Sequence, residues 1–122
     1  MADQRFAQVF LELRSFLQKY GEALGVSADT SDQYIVKPPD APDLNKMGFF
    51  AGLYIRKNYV SLYLAPVYVD PRLLDGISPA LKKRMQGRSC FNFAKVDNAL
   101  FVEMDELVAR SFERFNHQEG HE

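Results

Sequence analysis

Few side chains in this 122-residue sequence are of types that do chemistry, and their spacing narrows what they can do. The only histidines, His117 and His121, stand four apart, which on a helix would aim both imidazoles at one metal ion. Gly120 weakens a helix there and no third ligand is adjacent, so residues 117–122 read as a polar tail. Pairing either histidine with a serine or with Cys90 for nucleophilic catalysis would require that tail to fold back. A glycine-rich phosphate loop, paired catalytic carboxylates and zinc-ligand spacing are all missing from the sequence. Binding without a resident cofactor, rather than enzymatic catalysis, is the expectation.

Four groups of residues remain as candidate sites. Asp29, Asp32, Asp40 and Asp43 put oxygen donors into one loop and could hold a hard cation. They lack the tight alternation of a calcium loop, and aspartates in turns also bond their own backbone. Cys90 is the sole cysteine, which excludes an intramolecular disulfide. Beside Arg88 its thiol could ionise more easily; inside a strand it would behave as a small hydrophobe. Lys82, Lys83, Arg84 and Arg88, with Arg56 and Lys57 at a hairpin end, could contact phosphate. Tyr54, Tyr59 and Tyr63 could stack bases or meet a partner. Residues 47–100 carry 8 basic and 3 acidic side chains although the whole chain has a net charge of -1. That asymmetry suits either a mixed solvated surface or a basic patch for an anionic partner.

The elements that must position these groups follow from hydrophobic periodicity. Phe6, Phe10, Leu13, Leu17, Tyr20 and Leu24 recur at helical spacing, with Asp3 placed to cap and Gly25 placed to stop the helix. Residues 27–32 form a turn cluster, residues 33–37 a short strand around Ile35, and the proline-rich residues 38–43 an extended loop. Residues 47–56 and 59–67 read as two strands joined at Lys57-Asn58. That turn sets Ile55 opposite Val60, Leu53 opposite Leu62 and Ala51 opposite Leu64, an aliphatic face. The other face would then gather Phe50, Tyr54, Tyr59 and Tyr63.

Asp70-Pro71 and Ser78-Pro79 each join an N-cap residue to a proline suited to the first helical position. Two short helices are expected near residues 71–75 and 79–86, with Gly76 and Gly87 after them. Residues 88–93 alternate as a further strand, placing Cys90 and Asn92 outward if Phe91 and Phe93 face the core. Asp97 caps a final helix whose stripe includes Phe101, Met104, Val108, Ser111 and Phe115, with Glu106 and Arg110 spaced for an ion pair. The whole predicts an α+β chain: a single domain over residues 1–116, folded as a two-layer α/β sandwich. Its sheet is mainly antiparallel, with the N- and C-terminal helices on one face.

The segment Val60-Ser61-Leu62-Tyr63-Leu64, followed by residues 78–93, SPALKKRMQGRSCFNF, resembles the YdhG-like family of small, mostly bacterial proteins. The resemblance covers roughly residues 47–115 and implies a frataxin-like fold. It also implies an iron-chaperone role, described for one branch of that family.

Composition bounds the rest. Hydrophobic residues at 47% and charged residues at 25% are those of a globular chain. The start, Met1-Ala2-Asp3-Gln4-Arg5, lacks the basic and apolar run of a secretion signal, and residues 59–69 are too short to span a bilayer as a helix. A cytoplasmic binding or adaptor protein is expected, acting through Tyr54, Tyr59, Tyr63, Arg88, Cys90 and Asn92 on a small ligand, a protein partner or a second copy of itself. Nucleic acid or another polyanion, held by the cation set, is the alternative.

Overall fold

The apolar stripe that begins at Phe6 winds into α1, Gln4–Leu24, because its side chains have a flat aliphatic surface to cover. A computed structural model describes residues 4–37 and 49–120 of the chain, with the side chains of residues 4, 5 and 116–120 excepted. Asp3, the proline-rich loop, Asp40, Asp43, Met47 and His121 lie outside the described residues, and so does the His117 side chain. At the end of α1, Gly25 N–H donates to Gly21 O at 2.7 Å and the chain reverses into β1, Val26–Asp29, and β2, Gln33–Val36.

β1 replaces part of the expected turn cluster. Only residues 30–32 turn, held by Thr30 Oγ1, which accepts from Gln33 N–H at 3.0 Å and Asp32 N–H at 3.3 Å. Ser27 and Asp29 are exposed there, as polar side chains on an edge strand can be.

β3, Ala51–Ile55, and β4, Val60–Leu64, pair with Ile55 opposite Val60, Leu53 opposite Leu62 and Ala51 opposite Leu64, the register that Lys57-Asn58 predicts. β4 ends three residues before the expected Val67. Pro66 has no N–H for a ladder, and the chain coils into α2, Ala65–Val69. A 3-10 helix, Pro71–Leu74, and α3, Pro79–Lys82, follow. Each begins as expected: Asp70 accepts from Arg72 N–H, and Ser78 Oγ accepts from Leu81 N–H.

The expected helix over residues 79–86 stops at Lys82. Met85–Gln86 forms β5, which pairs with β6, Cys90–Phe93, and Asn92 N–H donates to Arg84 O at 2.8 Å. Gly87, at φ 79°, turns this hairpin instead of capping a helix. α4, Asn98–Gly120, continues beyond residue 116 into the stretch expected as a tail. Asp97 Oδ1 caps it by accepting from Leu100 N–H at 3.2 Å.

The six strands run in the order β1-β2-β3-β4-β6-β5, every neighbour antiparallel. α1 and α4 lie together on one face, where Phe16 meets Phe101 edge-on and Tyr20 stacks 4.7 Å from Phe112. Leu53, Leu62, Phe91 and Phe93 meet Leu13, Leu17, Met104 and Leu107 between the layers. The chain is thus α+β, with an antiparallel sheet under its first and last helices.

Phe50 departs from the expected face. It precedes β3, outside the strand alternation, and is buried in the helical layer against Tyr20, Phe112 and Phe115. α2, the 3-10 helix and α3 all pack on α4, so they extend the helical layer and leave the second face of the sheet uncapped by them. No described helix is long and apolar enough to cross a membrane.

Candidate functional site

Register builds the second sheet face from two rows of side chains. One row runs Gln33, Tyr54, Ser61, Asn92; the other runs Ile35, Gly52, Tyr63, Cys90, Gln86. Tyr54 and Tyr63 are diagonal neighbours and meet edge to face, with ring centroids 5.7 Å apart. The Arg56 guanidinium lies 4.7 Å above the Tyr54 ring, and its Nη2 donates to the Tyr63 hydroxyl at 3.2 Å. Among the described residues Arg56 has no carboxylate partner.

Gly52 makes this arrangement fit. A Cβ there would stand 3.1 Å from Tyr54 Cε1 and 3.4 Å from Phe49 Cε2, so any side chain would press the Tyr54 ring, which folds over its own strand, outward by a few tenths of an ångström. Burial raises the Tyr54 hydroxyl above the ordinary phenol range, although Arg56 pulls the other way. The ring is therefore a neutral hydrogen-bonding group at neutral pH.

Beside the rings lies a polar chain across β4, β6 and β5. Ser61 Oγ donates to Asn92 Oδ1 at 2.6 Å, and Asn92 Nδ2 donates to Gln86 Oε1 at 2.8 Å. Cys90 Sγ also reaches Asn92 Oδ1, at 3.4 Å. Ser61 at 2% and Cys90 at 7% exposure are enclosed, while Asn92 and Gln86 reach the surface.

The sequence-based candidates divide accordingly. Tyr54, Tyr63 and Asn92 come together as expected, whereas Tyr59 sits in the β3–β4 turn and makes no ring contact with them. Cys90 faces this side but is buried, and burial pushes its thiol pKa up, so of its two readings it is the small hydrophobe in a strand rather than a thiol activated by Arg88. Arg88 lies at the far end of the β5–β6 hairpin, with its guanidinium 5.6 Å from the Tyr68 ring.

The cation set is likewise split. Arg56 is committed to the tyrosines, and Lys57 lies exposed in the β3–β4 turn. Lys83 and Arg84 line a cleft with Lys95; Lys82 is exposed on α3 outside that lining. Asp29 pairs with Arg14 at 2.9 Å, and Asp32 accepts from the Thr30 hydroxyl. Among the described residues no three His, Cys, Asp or Glu side chains form a metal-binding group.

Sequence reasoning passed over Gln86 and Lys95. The first was hidden by reading residues 79–86 as one helix; the run Gln86-Gly87-Arg88 before an alternating strand was the available hairpin signal. No family model, curated protein or solved structure matches the chain.

Proposed function

We propose that this chain is a non-enzymatic binding protein of the cytoplasm that engages a protein partner through the second face of its sheet. The observation that supports this is Arg56: a cation laid over Tyr54, bonded to Tyr63 and without a carboxylate of its own among the described residues. Arginine and tyrosine dominate the energetics of protein interfaces, because each adds large contact area with a polar tip. The unmatched charge calls for a partner that brings an acidic side chain to an aromatic surface. Asn92 and Gln86 add amide groups beside it for a polar rim. A cysteine held protonated and buried suits a reducing compartment. Membership of the YdhG-like, frataxin-like family belongs to the same proposal and rests on residues 78–93, quoted above.

The test is native co-purification with the wild-type chain and with Tyr54→Ala/Arg56→Ala. The expected outcome is a partner retained by the first and lost by the second, with the same cooperative thermal unfolding in both. Self-association of the wild type that the variant abolishes would make the partner a second copy. An unchanged set of partners on a folded variant overturns the reading.

A further inference from the structure

On the other side of β6, where Phe93 points, α3 and the start of α4 enclose a cleft of about 520 Å³. This size falls in the range of sites for small organic ligands, ~300–1,000 Å³. Lys83 and Arg84 are neighbours in the turn from α3 to β5 and Lys95 leaves β6, so two separate turns of the chain deliver three cations to one place. None of the three makes an ion pair or a side-chain hydrogen bond among the described residues. The single carboxylate in the lining, Asp97, is occupied in capping α4 through Leu100 N–H. Three like charges around one carboxylate repel one another, and a dianion placed between them relieves that repulsion. The remaining walls are apolar, with Phe93 and Leu100 at the back and Pro79 and Ala80 on one side.

We propose that this cleft binds a small phosphomonoester carrying an apolar or aromatic body, such as a mononucleotide. Arg84 suits two oxygens of a phosphate at once, while the lysines act as point charges on the others. The apolar walls take the body of the molecule. A long polyanion fits less well, because it needs a continuous stripe of cations. Here Arg88 stands at the far end of the hairpin on Tyr68, and Arg56 is held over Tyr54. This site is independent of the sheet face proposed for a protein partner, since Phe93 and Asn92 point to opposite sides of β6.

Calorimetric titration of the full chain with adenosine monophosphate, inorganic phosphate, adenosine and a single-stranded oligonucleotide tests it. Saturable binding of the monophosphate, tighter than either phosphate or adenosine alone, is expected. Lys83→Gln and Lys95→Gln should each weaken it about tenfold, the loss of one charge-assisted hydrogen bond, with unfolding unchanged. Lys37→Gln, which removes an exposed charge elsewhere, should leave it as it is. No saturable binding, adenosine binding as tightly as its monophosphate, indifference to the lysine substitutions, or affinity that climbs with oligonucleotide length would each overturn the proposal.

Discussion

Ser111 sits on the buried side of α4, fully enclosed, and its hydroxyl has no hydrogen-bond partner among the described residues. A buried serine in a helix usually returns its proton to a carbonyl one turn back; this one does not. Leaving such a group unmatched costs about 1–3 kcal/mol, and alanine is also the better helix former. Ser111→Ala should therefore raise stability by about 1 kcal/mol in urea unfolding. A lower midpoint would mean that the hydroxyl is satisfied after all. Asn92 shows the opposite economy: its oxygen takes Ser61 and Cys90 while its amide meets Gln86, so one side chain satisfies polar groups on three strands.

Between elements, α1 approaches β2 closely at Gly21. A Cβ at Gly21 would stand 2.5 Å from Tyr34 Oη and 2.8 Å from Val26 Cγ2. Tyr34 cannot easily yield, because it is buried and the Arg14 guanidinium covers its ring at 4.9 Å while also binding Asp29. Gly21→Ala gains about 1 kcal/mol of helix propensity but overpacks this contact, which costs about 1–3 kcal/mol. A net loss of stability is expected, partly recovered in Gly21→Ala/Tyr34→Phe, where the crowded oxygen is gone. A variant more stable than wild type would show that the helix can lift away freely. A second junction joins α3 to α4. Ser78 caps α3 with its hydroxyl, and its own N–H donates to Glu103 Oε1 at 2.9 Å, so a carboxylate 25 residues away completes the cap.

For the molecule as a whole, Asp70 ties the junction of α2 and the 3-10 helix to α4. Its Oδ1 accepts from Arg72 Nε, and its Oδ2 accepts from Arg114 Nε, both at 2.9 Å. Arg72 first, and Arg114 second, hold the Asp70 carboxyl well below the usual carboxylate range. Because the folded-state value is depressed, the stabilisation is complete above the unfolded value, about 3.9, and is lost as pH falls below it towards the folded value. Asp70→Asn should then lower the urea midpoint at pH 6 and match wild type progressively more closely as acid is added. A constant gap between the two at every pH would show that the pair contributes no pH-dependent stability. Glu103, lowered by its bonds from Ser78, adds to the same acid sensitivity.

Local physics made part of this architecture readable in advance. The stripe of α1, the Leu53–Leu62 register and the caps at Asp70, Ser78 and Asp97 depend on residues a few positions apart. Short-range periodicity therefore carries them. The side on which Phe50 packs depends on Tyr20, Phe112 and Phe115, brought from a distance, and the edge strands β1 and β5 exist because a neighbouring strand already held in the sheet offers each a ladder. Met85 and Gln86 illustrate this: helical by pattern, they became strand because β6 offered their backbone groups a ladder. The same holds for the candidate sites. Tyr54 and Tyr63 could be paired from one hairpin turn, but bringing Lys95 to the adjacent Lys83 and Arg84 required the folded order of α3, β5 and β6, since charge carries no periodicity that reveals where it will meet.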